Sequence, residues 1–293
     1  MTIPASVTSI ASEAFFDTGL LEITSESVNP ATVNAGALGN RTKTDLFIPQ
    51  GTRQAYTDAG WTGFKSIIEQ GTVILEPKVF IQGAALSPNT GEENLMRDDL
   101  RVAGLIPTTS PYADGLTCNA NVFNATGNNA IVDWVFVELR DATDSSIVIE
   151  GRSALLQRDG DVVDVNGIGV LQFTSPIENY FVAIKHRNHL GVMTNTAQQL
   201  DGNRVNVDFS DATVPIAFGT NAQTDAGMPA NTLGMWAGNV NTDTVIQYSG
   251  VTPDTPSILS EVLNAPGNFL NFHSGEDLSF LTNLLQNRST SLP

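Results

Sequence analysis

Cysteine is almost absent from this 293-residue chain. Cys118 stands alone, so no disulfide can close within it and a thiolate metal cluster is excluded. Basic residues are scarce: 14 Lys and Arg face 31 Asp and Glu, a formal charge of −17. With no positive stripe to track a phosphate backbone, nucleic acid is set aside as a partner. The same charge repels anionic lipid surfaces but suits solubility and the binding of cations. No run of about 18 apolar residues is present to insert into a membrane as a helix. The start, Met1-Thr2-Ile3-Pro4, lacks the basic and apolar regions of a signal peptide and sits directly on a strand-like segment. Either the chain is cytoplasmic or it is a fragment of a longer exported precursor, and the fragment is the expectation. Its length allows two or three domains.

What is present begins with a repeat. Short apolar pieces recur at Ile3-Pro4, Val7 to Ile10, Leu20 to Ile23 and Leu46 to Pro49. The main ones lie roughly 20 to 25 residues apart, the period of stacked solenoid coils. Each coil would bury its short strand and an apolar pair such as Ala14-Phe15 against its neighbour. Thr52 to Ala59 reads as a short helix, with Thr52 placed to cap it and Gly60 to end it. Trp61 and Phe64 follow and are expected to plug the end of a small core. The plain alternative is that a few Ile-Pro dipeptides carry no repeat at all.

Thr2-Ile-Pro-Ala-Ser-Val-Thr-Ser-Ile-Ala-Ser-Glu-Ala-Phe15 resembles one repeat of the BspA-like leucine-rich repeats of bacterial surface proteins. Leu46-Phe-Ile-Pro-Gln-Gly-Thr-Arg-Gln-Ala-Tyr56, running into Gly60-Trp-Thr-Gly-Phe64, is similar to the closing segment of such arrays. The resemblance covers residues 1–70 and implies the C-terminal remnant of a longer array. Ala14-Phe15 keeps the expected pair, whereas Ala37-Leu38 departs from it, so the second coil is expected to be irregular.

From about Thr72 the texture is that of strands. Ile131 to Leu139 is apolar on both faces, with Trp134 and Phe136 on one and Val135, Val137 and Leu139 on the other, as in a central strand. Residues 147–156 and 180–185 give two more strands. Val205, Val207 and Phe209 alternate with polar neighbours, so that strand has one wet face. Asp159-Gly160 and Asn166-Gly167 mark turns. One helix is expected to interrupt this region: Thr90 and Glu93 have capping-box spacing, followed by Leu95, Met96 and Leu100. Residues 110–129 read as a long exposed loop. Near the end, Thr255-Pro256 opens one amphipathic helix and Ser274 a second. The expected architecture is mainly β: a leucine-rich-repeat remnant (1–70), a β-sandwich (71–235), and a degenerate calcium loop with a small C-terminal helical appendage (236–293).

Candidate chemistry is sparse. Asn239, Asn241 and Asp243 place side-chain oxygens at alternate positions, and Asp254 can swing in to complete a shell for Ca²⁺. An ordinary Asn-rich turn holding no metal fits the same residues. Trp236 borders this loop and is the best candidate to stack on a sugar ring. His186 and His189 lie on opposite faces of a strand unless a turn at Asn188 brings them together. With Arg187, and Asp159 or Asp161, they would form a metal or acid–base site, against the plainer reading of a polar strand end. Adjacent acids such as Glu92-Glu93 and Asp98-Asp99 are not aimed across a cleft, and Asp133 and Glu138 sit on opposite strand faces, so a glycosidase pair is not legible. Cys118 has no adjacent histidine, and no nucleophile elbow or phosphate loop is present.

Asn128-Asn-Ala-Ile-Val-Asp-Trp-Val-Phe-Val-Glu-Leu-Arg140, Arg152-Ser-Ala-Leu-Leu-Gln-Arg-Asp-Gly-Asp161 and Tyr180-Phe-Val-Ala-Ile-Lys-His-Arg-Asn-His-Leu-Gly-Val-Met193 resemble a secreted module found near the C-termini of large Bacteroidetes proteins. In such proteins a dockerin-like calcium loop often follows. Asn239, Asn241 and Asp243 fall on its first three ligand positions, while Asn239 and Thr244 depart from its pattern. The resemblance implies no enzymatic activity. It implies a secreted or cell-surface placement, and the expected function is a non-enzymatic adhesion or architectural module that binds a protein or glycan. An accessory carbohydrate-binding or dockerin-like module of a secreted enzyme is the alternative.

Overall fold

A computed structural model describes residues 1–34, 36–239, 241, 246 and 249–256. Its first quarter is a parallel ladder. Strands β1 (Thr2–Ile3), β3 (Glu22–Ser25), β5 (Asp45–Ile48) and β6 (Ser66–Glu69) pair in that order, while β2 (Ser9–Ile10) pairs with β4 (Thr32–Val33). Thr2 faces Thr24, Glu22 faces Asp45 and Asp45 faces Ser66, so the coils advance by 22, 23 and 21 residues. Stacked in register, the coils pool side chains that none could bury alone. Ile3, Ile10, Ile23, Leu46 and Ile48 form one core with Tyr56 and Trp61. Phe15 bridges Leu38 in parallel, yet Ala37-Leu38 is the buried pair, whereas Ala14 is exposed and Phe15 half-buried. The second coil is therefore the better packed of the two, because it lies between neighbours.

Helix α1 (Arg53–Asp58) closes the ladder, but Thr52 does not cap it through its side chain. The Thr52 hydroxyl donates to the Pro49 carbonyl at 2.6 Å, and Glu69 instead accepts from the Arg53 N–H at 3.0 Å. A residue 16 positions away thus supplies the N-terminal acceptor. Trp61 is fully buried, edge-on to Tyr56 at 5.4 Å and stacked on Phe64 at 6.3 Å, with its indole N–H on the Ala31 carbonyl.

The remainder is largely antiparallel. Strands β7 (Val73–Lys78), β8 (Phe80–Ile81), β9 (Ile131–Asp141), β10 (Val148–Gln157), β11 (Val162–Val163), β12 (Leu171–Phe173), β13 (Asn179–His186), β14 (His189–Met193), β15 (Gln198–Gln199), β16 (Arg204–Asp208), β17 (Gln223–Thr224) and β18 (Gly234–Met235) build three sheets. The largest runs β11-β10-β9-β13-β14, with β15 also on β13; the smaller two are β12-β7-β16 and β17-β18-β8. All three contribute to one core, in which Val135, Val137 and Leu139 of β9 meet Val73, Leu75 and Phe173. The opposite face of β9 is also dry: Ile131 and Trp134 pack with Ile106, Cys118 and Leu155.

Residues 110–129 are a mostly exposed loop, as expected, yet with Ile106 their few apolar members cover that second face. Ser110, Cys118 and Ser153 are buried, and Asp114 accepts from both the N–H and the hydroxyl of Ser153 at 2.7 Å. One expectation fails here: the helix expected after Thr90 shrinks to α2 (Asp99–Val102). Met96 is drawn wholly into the core, and its N–H donates to the Arg158 carbonyl at 2.8 Å rather than to a helical turn. The buried Arg158 guanidinium in turn holds the Met96 carbonyl and Glu92, whose carboxyl is thereby pushed down to about 2. The helices expected beyond Pro256 lie outside the described residues.

The ladder docks directly on the sheets. Ile68 and Phe47 pack against Ile74 and Val170, the Val170 N–H reaches Ser66 Oγ at 3.2 Å, and Asn166 donates to the Lys65 carbonyl at 2.9 Å. Arg204 of β16 grips the buried Asp45 of β5 and Glu76 of β7 at 3.1 Å, with exposed Glu22 at 4.0 Å. Removing one member of such a pair leaves a buried charge behind. Arg204→Ala is expected to lower unfolding stability by about 2–4 kcal/mol, and Asp45→Ala in the same chain to recover at least about 1 kcal/mol of that. Urea denaturation of the four members of the cycle measures it; strict additivity would refute the coupling.

Candidate functional site

The two histidines meet. The tight turn between β13 and β14 sets His186 opposite His189, and both are buried. Hydrogen bonding fixes their tautomers. The Gly83 N–H donates to His189 Nε2 at 3.0 Å, so the His189 proton is on Nδ1, 2.9 Å from His186 Nδ1. His186 Nδ1 also accepts from the Asn188 N–H, which leaves its own proton on Nε2, 3.2 Å from Asp133 Oδ2. Arg187 closes the chain on that same oxygen at 2.7 Å. The expected site therefore assembles around Asp133, not Asp159 or Asp161. The signal for it was a carboxylate inside the apolar run of a central strand, which must find partners if it is buried.

This row of groups is a relay with every polar end occupied. Burial, then the neighbouring His186 and Arg187, hold the His189 imidazole well below its ordinary value. Among the described residues no cluster of three or more His, Cys, Asp or Glu could hold a metal ion. Cys118 is buried too, and burial raises its thiol. Tyr112, which reaches the Lys185 carbonyl at 3.3 Å, is likewise raised by burial and the nearby Asp133.

Of the residues expected to bind calcium, Asn239 and Asp254 are buried, and Asn241 donates to the Thr252 carbonyl at 2.9 Å. Asp243 lies outside the described residues. Trp236 is half-buried, and its indole N–H donates to the Asn221 carbonyl at 3.0 Å.

A cavity lies elsewhere, at the seam between ladder and sheets. It encloses about 470 Å³. Lys43 reaches it from the 3₁₀ turn Arg41–Lys43, Lys65 from the start of β6 and Lys78 from the end of β7. These are three of only four lysines in the chain. The fourth, Lys185, is held by the buried Glu138 at 2.6 Å. Sequence reading misses this site because its walls come from segments more than a hundred residues apart.

No family model matches the chain, and no curated protein or solved structure does so either. No helix among the described residues is long and apolar enough to cross a membrane.

The relay makes stability depend on pH. The folded His189 binds a proton less readily than the unfolded chain does, whose imidazole titrates near about 6.5. Below that pH the unfolded state takes up protons that the fold refuses, so stability falls as pH falls, by at most about 1.4 kcal/mol per unit for this group. Denaturation midpoints between pH 7.5 and 5.5 are expected to drop in the natural chain and to drop less in His189→Gln. Equal slopes would show that the buried imidazole is not the cause.

Proposed function

We propose that the chain is a non-enzymatic adhesion or architectural module of a secreted or cell-surface protein. In this reading residues 1–70 are the end of a BspA-like leucine-rich-repeat array, 71–235 a β-sandwich and 236–293 a small appendage. The module presents a protein- or glycan-binding surface away from the cell. The supporting observation is the seam: Arg204, Asp45 and Glu76, with Ile68, Phe47, Ile74 and Val170, join ladder to sheets through both charge and packing. A display rod needs such a joint, because a flexible linker would lose the orientation of whatever it carries. The internal occupation of the His186–His189–Asp133 relay agrees with a structural rather than a chemical use of these groups.

Calorimetry tests this directly. One transition spanning ladder and sheets is expected, with calorimetric and van't Hoff enthalpies in a ratio near about 1, and Arg204→Ala is expected to shift all of it. Two transitions, with the ladder melting separately, would sink the proposal.

A second reading, an accessory carbohydrate-binding or dockerin-like module, is favoured by the burial of the oxygen-bearing side chains of Asn239 and Asp254. Neutral amides and carboxylates suit a hard cation such as Ca²⁺. Titration of calcium into chelator-treated protein should then show saturable binding that is lost in Asp243→Ala and Asp254→Ala. A flat titration of the natural chain removes this reading.

A further inference from the structure

We propose that the cavity between ladder and sheets is a binding site for an acidic saccharide, a short glycan unit bearing a carboxylate. The chain as a whole carries −17, yet this lining brings together Lys43, Lys65 and Lys78 with only Glu76 and Asp161, a local balance of 3 − 2 = +1. Nor are the lysines held tightly. Lys43 is exposed and has no ion-pair partner among the described residues. Lys65 stands 3.7 Å from Asp45, whose same oxygen is gripped by Arg204. Lys78 stands 3.5 Å from Asp161, which is itself more than half exposed. Glu76 is paired with Arg204, which weakens its claim on the ammonium groups. An anion entering here replaces long, solvent-screened contacts rather than strong ones.

The neutral lining points to a sugar. The Thr42 hydroxyl and the side-chain amides of Asn129 and Asn206 make no hydrogen bond to described residues, so donors and acceptors wait at three places around the opening. Ile168, exposed in this lining over the buried Pro77, Val162 and Val170, supplies an apolar surface against which the C–H face of a ring can lie. A volume of about 470 Å³ falls within the range of small-molecule sites. Lysine ammonium groups act as mobile point charges that can meet a carboxylate without a fixed fork geometry.

The seam also explains why the site is held in shape. Gln157 is buried and donates to the Gly167 carbonyl at 2.9 Å, while Asn166 ties the same loop to Lys65. At Gly169 a Cβ would come within 3.0 Å of the Lys65 carbonyl, so only glycine lets the loop approach this closely. The ligand surface thus belongs to neither part alone. In this respect the inference rests on the joined architecture proposed above.

Calorimetric titration of the full chain with digalacturonate tests it, with maltose and a glutamate-rich peptide titrated alongside. Saturable one-to-one binding of digalacturonate is expected, weakening as salt rises. It should weaken by about tenfold in Lys43→Gln, the scale of one lost charge-assisted hydrogen bond. Asp161→Asn, which removes the competing anion, should strengthen it. Both positions are exposed, so circular dichroism and the thermal midpoint are expected to be unchanged. Equal binding of maltose would overturn the role of the lysines, tighter binding of the peptide would overturn the saccharide assignment, and no saturable binding of digalacturonate would end the proposal. The single melting transition is independent of all three, so a failed titration removes the ligand and a split transition removes the architecture.

Discussion

Burying β9 on both faces is the constraint from which most of the sheet architecture follows. It lies between β10 and β13, so its backbone groups are paired on both sides. One row of its side chains enters the shared core, and the other must be covered by residues 106–130. Asp133 and Glu138 are buried on this strand, and a buried carboxylate persists only with partners. Asp133 fixes the His186–Arg187 end of β13, and Glu138 recruits Arg140 and Lys185. The turn that joins β13 to β14 is thereby anchored to the strand beside it.

Scarce cations shape the rest. In a chain with 14 basic residues against 31 acids, most of the arginines sit where two segments must be joined. Arg158 fastens the segment around Met96 to β10, Arg152 holds Asp164 and the Gln172 carbonyl, and Arg53 ties α1 to the Ile67 carbonyl and Gln172. Arg41 donates to the carbonyls of Gly60 and Thr62 around the ladder's end. A guanidinium can serve several acceptors at once, which makes it the efficient choice for such seams. Lysine, with its single mobile charge, is left mainly to the cavity.

The period of the Ile-Pro segments, the two-faced apolarity around Trp134 and the alternation through Val205 and Val207 are local patterns, and the strands lie where those patterns place them. Capping logic did less well. Thr52 has an available side chain, but the Pro49 carbonyl competes for it and Glu69 arrives from the next strand. Thr90 and Glu93 have the right spacing, yet Met96 gains more from full burial than its segment would from a helical turn. The polar residues around Cys118 suggested solvent, although a loop can be polar in composition and still bury its few apolar members.

The amino-acid sequence alone determined the repeat of the ladder, the central strand and the lack of an intrachain disulfide. Each depends on composition or on spacing within a few residues, where periodicity maps directly onto one face of a strand. Tertiary structure alone decided that His186 and His189 share a proton chain with Asp133, that the ladder is clamped by Arg204, and that three lysines line one cavity. The Asp133–His186 and Asp45–Arg204 contacts join residues 53 and 159 positions apart, and the cavity is completed by segments around residues 129, 157–170 and 206. No local pattern encodes such pairings, because they arise only when the packing of the sheets sets the distances.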